Sequence, residues 1–163
     1  MIRYYATVNG RIRQLDEQTE GCWSDVINPD EKEINSLIQQ FALEPDFLRA
    51  ALDDEESSRI ESEDGNTLII LDAPVAERGE DDVAYYTVPM GILVTPSHVI
   101  TVSLRENAII AEFAEGVVKG VQTNLRTQFV LHVILRVATR YLQFLKQIDK
   151  LSSSLEKQLR KAR

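Results

Sequence analysis

The length, composition and charge of this chain exclude several classes of protein. With 163 residues, 44% of them hydrophobic, it is long enough for one globular domain with a well-packed core. Its formal net charge of −8 argues against a general nucleic-acid-binding protein, and its one cysteine, Cys22, excludes an internal disulfide bond and fits a reducing compartment. No apolar run approaches the roughly 18 residues that suggest a membrane-spanning helix.

The first 27 residues predict three strands. Residues 3–8 and 11–15 are rich in strand-forming side chains and flank the dipeptide Asn9-Gly10. This dipeptide suits a two-residue hairpin turn because both positions tolerate positive φ. Residues 21–27 are mostly apolar, include Trp23 and indicate the third strand.

Two helices are predicted to follow these strands. We expect Asn28 to cap the first helix and Pro29 to occupy its first position. Its apolar residues recur at helical spacing, and Pro45 then opens a second, shorter helix. The acidic run 53–56 comes directly after that second helix.

The middle of the chain predicts further strands that are joined by short turns. The predicted segments are strands at residues 67–72, 84–89, 90–94 and 99–104 and a helix at residues 108–118. Such short connections favour antiparallel neighbours. The order strands, helices, strands, helices predicts an α+β fold in which a mixed β-sheet is sandwiched by helices.

The last quarter of the chain predicts one long helix. Residues 122–163 contain no Gly or Pro, and apolar residues recur there in steps of three and four, which is typical of a coiled-coil seam. A helix of this length extends about 60 Å at 1.5 Å per residue, which would overhang a globule of the remaining size by roughly 25 Å. We therefore predict a globular domain at 1–121 and, at 122–163, the first part of a helix that continues further.

Charge is distributed unevenly between these two parts. Residues 1–120 carry 24 acidic and nine basic side chains, whereas residues 121–163 carry two acidic and nine basic ones. An acidic domain that is joined to a basic helix can neutralise it across subunit contacts, or it can attract cations.

No constellation of residues indicates an enzyme. The chain has two histidines, His98 and His132, which are distant in sequence and lack cysteines or paired carboxylates at zinc-ligand spacing. It also lacks a phosphate-binding glycine loop and a plausible nucleophile with its base. The sequence therefore does not predict a catalytic function.

The order of motifs along the chain resembles that of a known family. The motifs are, in chain order, residues 23–26, 41–48, 51–53, 59–61, 68–72, 87–94 and 99–102. This series is similar to the cytoplasmic N-terminal domain of CorA-type magnesium transporters, and the resemblance covers essentially the whole chain. No single motif is specific for this family. The ordered series, which ends in a long basic helix, is much more specific than any of its members.

The resemblance implies a part of a membrane transporter. CorA-like proteins are homopentamers with an α/β/α funnel domain in the cytoplasm, and their long helix continues as a stalk to the membrane. Two transmembrane helices follow, with a Gly-Met-Asn motif that this chain does not contain. The implied function is regulation of passive Mg²⁺ and Co²⁺ flux at the cytoplasmic face of the cell membrane, with no nucleic-acid partner.

The resemblance also implies a regulatory cation site, from which this sequence departs. In the family, Mg²⁺ binds acidic side chains between neighbouring funnel domains and holds the pore closed. The family's sensing carboxylate matches Ala50, which offers no oxygen ligand. The nearest acids are Asp53, Asp54 and Glu55, and we take these as candidate metal ligands. The simpler interpretation is a solvated acidic patch after a helix.

Two alternative functions remain open at this point. One is a zinc-transporting relative with the same architecture, since the pore residues that select the ion are not in the sequence. The other is a stand-alone soluble oligomerisation or binding module that uses the apolar stripe of the last helix.

Overall fold

The structure is a computed structural model, which describes residues 1–162. In chain order the elements are β1 (Ile2–Val8), β2 (Arg11–Leu15), β3 (Trp23–Ile27), α1 (Glu31–Phe41), α2 (Pro45–Ala51), β4 (Arg59–Glu63), β5 (Asn66–Arg78), β6 (Val83–Val94), β7 (Val99–Ser103), α3 (Ala108–Ala114) and α4 (Arg126–Lys161). The strands form one seven-stranded sheet, in the order β2-β1-β3-β7-β6-β5-β4. The predicted fold class, a mixed sheet between helices followed by a long helix, is confirmed.

The centre of the sheet is its most buried part. Strands β3 and β7 are buried at all five positions and pair in parallel, whereas every other pair of neighbouring strands is antiparallel. The long connection between the parallel strands carries α1 and α2 across one face of the sheet. The short connections on either side produce antiparallel pairs, as their lengths predicted.

Each face of the sheet has its own core. On one face α3 and α4 cover an aromatic group in which the ring of Trp23 lies 5.0 Å from that of Phe129, which lies 5.6 Å from that of Phe113. On the other face α1 and α2 pack an aliphatic cluster that includes Leu37 and Leu48. Burial of these large side chains is the main stabilising contribution of both layers.

The first hairpin is confirmed, but the start of α1 differs from the prediction. Asn9 and Gly10 have φ values of 51° and 76°, as the two-residue turn requires. The prediction that Asn28 caps α1 was wrong, because the cap is Asp30, whose side chain accepts a hydrogen bond from the Glu33 amide. Glu33 in turn accepts from the Asp30 amide, and this reciprocal capping box fixes the helix start.

The hairpin of β5 and β6 is longer than the rest of the sheet. The two strands pair from Thr67 with Val94 to Arg78 with Val83, whereas β4 pairs only with residues 66–70 and β7 only with residues 91–94. Residues 71–90 therefore form a two-stranded ribbon that projects beyond the sheet. The two strands predicted at residues 84–89 and 90–94 are one continuous strand, β6.

The ribbon supports the part of α4 that extends past the globular core. The Tyr141 hydroxyl donates to the Asp72 carbonyl at 2.6 Å, and the Tyr85 hydroxyl donates to Gln147 Oε1 at 3.0 Å. The rings of Tyr85 and Phe144 also meet at 5.4 Å. The overhang predicted for the helix is thus partly covered by this chain itself, and α4 is exposed at every described position from residue 145 onward.

The helix α4 begins at Arg126, four residues later than predicted. Residues 121–125 form turns instead, and Thr123 exchanges hydrogen bonds with Thr7 of β1 at 3.0 and 3.1 Å. The division into a domain at 1–121 and a separate helical part at 122–163 stays a prediction.

Candidate functional site

The three candidate metal ligands lie in a turn that follows α2. Pro45 occupies the first turn of that helix, where its missing N–H costs nothing, and Phe47, Leu48 and Ala51 are its buried residues. The helix ends at Ala51, and Leu52 caps it. Asp53, Asp54 and Glu55 follow directly, and all three are exposed. We call residues 53–55 the acidic turn.

A very close contact fixes α2, and with it the acidic turn, on the sheet. A Cβ atom placed on Gly91 of β6 would lie 2.4 Å from the Cβ of Ala51 and 3.2 Å from its Cα. Only glycine at position 91 lets the helix approach the strand this closely.

Hydrogen bonds within the chain shape the acidic turn. The Glu55 amide donates to Asp53 Oδ1 at 2.9 Å, and the Glu56 amide donates to the Asp53 carbonyl at 3.3 Å. The side chain of Asp53 therefore stabilises the turn through one oxygen, as Asp often does in turns. Glu56 is engaged differently, because its carboxylate pairs with Arg59.

A shallow cavity of about 240 Å³ lies beside the acidic turn. Asp54 lines it together with residues 86–89 of the ribbon and residues 103–105 at the end of β7. At this place β7 ends, and β6 continues with β5 on its other side. Asp54 is thus the one candidate ligand that faces a concave surface, and Arg105 is on the same surface.

The acidic turn and the residues that follow it are rich in carboxylates. Between residues 53 and 63 the chain carries six acidic side chains and one arginine. Within residues 1–162 no three Asp, Glu, His or Cys side chains converge closely enough to hold a metal ion by themselves. Mg²⁺ keeps most of its water ligands and commonly uses one or two carboxylates, so ligands from a second chain could complete such a site. The side chain of Ala50, one turn earlier, offers no oxygen ligand.

Sequence reasoning missed a buried carboxylate at the centre of the sheet. Asp25 is 2% exposed and accepts a hydrogen bond from the Thr101 hydroxyl at 2.9 Å, which itself accepts from Trp23 Nε1 at 2.8 Å. Arg3 donates to both Asp25 and Glu106, at 3.4 and 3.2 Å. The only signal in the sequence was a charged residue within an otherwise apolar strand.

The environment of Asp25 shifts its titration. Burial raises the pKa of this carboxyl above its ordinary value, although the hydrogen bond from Thr101 and the charge of Arg3 oppose the shift. The group borders an open cavity of about 290 Å³ that Glu106 and Asn107 also line. Because every oxygen of Asp25 already has a partner, we interpret this network as structural.

An ion pair joins α3 to α4. Glu112 accepts from Arg136 Nε at 2.6 Å and also from Arg140. Burial raises the pKa of Glu112, but the hydrogen bonds and charges of the two arginines outweigh it, so that the pKa lies below its ordinary value. We call this pairing of one carboxylate with two basic residues of α4 the clamp.

No helix in the described part of the chain, residues 1–162, is long and apolar enough to cross a membrane.

Comparisons with known proteins place the chain in a structural context. A sequence profile of the family described as "CorA-like Mg2+ transporter protein" matches residues 18–163. No curated protein matches the chain in sequence.

Several solved structures share the fold. The complete CorA magnesium transporter from Methanocaldococcus jannaschii has a TM-score of 0.75 and 19% identity, over 98% of this chain and 51% of that one. The soluble domain of CorA from the same organism has a TM-score of 0.74 and 21% identity, over 98% of this chain and 64% of that one. The ZntB cytoplasmic domain from Vibrio parahaemolyticus has a TM-score of 0.68 and 16% identity, over 91% of this chain and 62% of that one. The chain spans about half the length of the complete transporter that it matches.

Proposed function

The chain belongs to the CorA-like Mg²⁺ transporter family, and from this membership we propose that it is the cytoplasmic regulatory domain of a divalent-cation channel. The match of the family profile over residues 18–163 carries the proposal. This is a family of transporters and not of enzymes. In the whole protein the domain forms a homopentamer at the cytoplasmic face of the cell membrane, to which further segments attach it. The ion flux is passive and follows concentration and membrane potential.

The regulatory step that we propose is binding of Mg²⁺ at the acidic turn. Asp53, Asp54 and Glu55 are exposed and carry three carboxylates in succession, and Asp54 lines a cavity. A carboxylate of a neighbouring subunit completes the site, because three ligands do not converge within residues 1–162 of one chain. Co²⁺ also accepts oxygen ligands and can occupy the same site.

Cation binding between subunits stabilises one arrangement of the ring by mass action. A ligand at 100 times its dissociation constant stabilises the state that binds it by about 2.7 kcal/mol. When cytoplasmic Mg²⁺ falls, the sites empty and the closed arrangement loses this stabilisation. The subunits then rearrange and the pore conducts, which makes the flux respond to the cation that it supplies.

The experiment is hydrogen exchange of the assembled protein with and without millimolar Mg²⁺. Residues 48–58 are expected to gain protection with Mg²⁺. The variant Asp53→Asn/Asp54→Asn/Glu55→Gln is expected to lose that gain. The asparagine at position 53 keeps an oxygen for the turn. A matched control is Glu80→Gln/Asp81→Asn/Asp82→Asn, which removes three exposed carboxylates from the tip of the ribbon.

Two results would contradict the proposed site. One is Mg²⁺-dependent protection elsewhere with none at residues 48–58. The other is an equal loss of protection in the control variant, because the effect would then follow total charge and not the acidic turn. A parallel measurement with Zn²⁺ tests the zinc-transporting alternative, in which Zn²⁺ and not Mg²⁺ protects these residues.

A further inference from the structure

The seven-stranded sheet has two free edges. β2 lies at one end of the strand order and β4 at the other. All five residues of β4 are exposed, and the apolar side chain of Ile60 is 70% exposed. Neither strand contains proline, so each keeps all of its outward-facing amides. Such an edge can accept a further strand.

The directions of the two edge strands suit a pairing between copies in the same orientation. Counted across the sheet, one neighbouring pair is parallel and the other five are antiparallel. β2 and β4 therefore run in opposite directions. A second copy that is placed beside the first, without being turned over, brings its β2 antiparallel to β4.

The side chains of the two edges also match by face. Ile12 of β2 packs against the core under α3 and α4, and Ile60 of β4 pairs with Ile69 of the same core. Paired residues project from the same face of a sheet, so Ile12 and Ile60 share a face. Because alternate residues project from opposite faces, the other face carries the charged side chains, which are Arg11 and Arg13 on β2 and Arg59, Glu61 and Glu63 on β4.

The backbone groups of the two edges are in matching phase. Two-residue turns join β2 to β1 and β4 to β5, and Arg11 and Glu63 belong to the pairs that close these turns. The residues of such a closing pair are hydrogen-bonded to each other. The backbone groups of Arg11 and Glu63 thus point into the sheet, and alternation turns those of the next residues, Ile12 and Ser62, outward.

We propose that β2 of one copy of this chain pairs antiparallel with β4 of a second copy, so that the two sheets become continuous. One register satisfies direction, face and backbone phase together and also pairs opposite charges. Its pairs are Arg11 with Glu63, Ile12 with Ser62, Arg13 with Glu61 and Gln14 with Ile60. A shift by two residues in either direction keeps only one arginine–glutamate pair, and in one direction it places Arg13 opposite Arg59.

Charge makes this pairing specific for unlike edges. The two arginine–glutamate pairs occupy the sites without backbone hydrogen bonds, where opposed side chains lie closest. Arg11 and Arg13 have no ion-pair partner within residues 1–162, whereas Glu61 contacts Arg59 of its own strand in an exposed pair at 3.2 Å. Two β2 edges would oppose arginines, and two β4 edges would oppose glutamates, so like edges repel.

The contact joins two different surfaces of the same chain, so every copy retains one free edge for the next copy. Repetition with a rotation closes a ring of subunits in one orientation. The inference thus rests on the proposed ring, whose joining surfaces it names, but it needs no metal ion. One five-residue strand pair is a small interface, so we expect the association of the chain to be weak and to reverse on dilution.

Sedimentation equilibrium of the chain in EDTA tests the charge pairs. The wild type is expected to associate with rising concentration, whereas Arg11→Glu/Arg13→Glu and Glu61→Arg/Glu63→Arg are each expected to dissociate at least tenfold more readily. An equimolar mixture of these two variants is expected to associate again, because each β2 then meets a β4 of opposite charge. The matched control Lys32→Glu/Arg78→Glu reverses two other exposed basic side chains and should behave like the wild type.

A wild type that is monomeric at all concentrations overturns the proposal, and so does a mixture that fails to associate. Because EDTA removes the cation, neither result bears on the Mg²⁺ site. Conversely, association in EDTA without Mg²⁺-dependent protection of residues 48–58 would contradict the Mg²⁺ site and leave the edge pairing intact.

Cysteine cross-linking under a mild oxidant tests the register. Arg13→Cys/Glu61→Cys places two thiols opposite each other on one face and is expected to form covalent dimers and larger species. The matched control Arg13→Cys/Ile60→Cys places them on opposite faces and is expected to stay unlinked. The native thiol of Cys22 is 1% exposed and does not interfere. Equal cross-linking of the two variants, or none in either, would contradict the proposed pairing.

Discussion

Gly91 of β6 lies directly beneath Ala51 of α2, with no room for even a methyl group between strand and helix. A Cβ on Gly91 would come within 2.4 Å of the Cβ of Ala51. The acidic turn begins two residues after Ala51, so this contact sets the position of the candidate metal ligands above the sheet. A small residue in the core therefore determines the geometry of a surface site.

The substitution Gly91→Ala is expected to destabilise the fold by about 2–3 kcal/mol, because overpacking a rigid contact forces the helix away from the strand. Urea unfolding measures the loss. The control Gly79→Ala meets the flexible side chain of Asp82 and is expected to change little. Adding Ala51→Gly should recover part of the stability of Gly91→Ala. A double variant that is no more stable than Gly91→Ala would show that the cost arises elsewhere.

Local patterns were sufficient to predict most elements of the fold. The turn at Asn9-Gly10 follows from the backbone freedom of those two residues alone. The strand that contains Trp23 and the helix α4 were predicted from the spacing of their apolar residues, a local pattern that does not depend on which elements pack against them. The predicted family and fold class followed from these elements in order.

Features that depend on distant partners could not be predicted. Asp25 is stable in the core only because Thr101 and Arg3 reach it from other strands. The ribbon projects because its neighbours β4 and β7 end before β5 and β6 do. No residue within the ribbon indicates where those neighbouring strands end. For the candidate site, the sequence located Asp53, Asp54 and Glu55, but whether cation ligands converge there depends on a neighbouring subunit.

Replacing Glu112 with Gln is expected to cost about 1–2 kcal/mol of unfolding free energy, since a partly buried carboxylate loses its pairing with two arginines. Thermal or urea unfolding measures it. Glu115→Gln changes an exposed carboxylate of the same segment that has no ion pair in the described structure, and it serves as the control. Equal stabilities of the two variants would contradict a role for the clamp.

The same clamp predicts a pH dependence. Because the pKa of Glu112 is lowered in the folded chain, the unfolded chain binds more protons as the pH falls. The stabilisation by Glu112 is therefore complete above its ordinary pKa of about 4.3 and is lost as the pH falls through the lower folded value. The stability difference between the wild type and Glu112→Gln should shrink in acid. A difference that is constant over this range would be inconsistent with the shift.

For Asp25 we expect the opposite dependence of stability on pH. Burial raises its pKa, so the folded chain binds more protons than the unfolded chain above the ordinary value of about 3.9. Its contribution to stability decreases as the pH rises from that value through the raised folded pKa, and it is constant beyond. Urea unfolding of the wild type and Asp25→Asn at several pH values measures the difference. A difference that grows with pH would refute this assignment.

Two prolines protect the free edges of the ribbon. The Ser103 carbonyl of β7 accepts a hydrogen bond from the Asn28 amide, so the backbone polar groups of Ser103 point toward β3. Those of the preceding residue, Val102, therefore point toward β6, and those of its partner Gly91 point toward β7. Pro89 is two residues before Gly91 and thus lies on the outward side of β6. Pro74, which pairs with Thr87 two residues from Pro89, lies on the outward side of β5. Each proline removes an outward N–H from an edge that could pair with another chain.

The variant Pro74→Val/Pro89→Thr is expected to form larger assemblies than the wild type, because it restores a donor on both edges of the ribbon and allows open-ended strand pairing. Light scattering measures the particle size, and thioflavin fluorescence detects the added sheet. The control Pro96→Ser changes an exposed proline in the turn before β7 and should leave the size unchanged. A double proline variant of unchanged size would show that the charged tip of the ribbon alone prevents edge pairing.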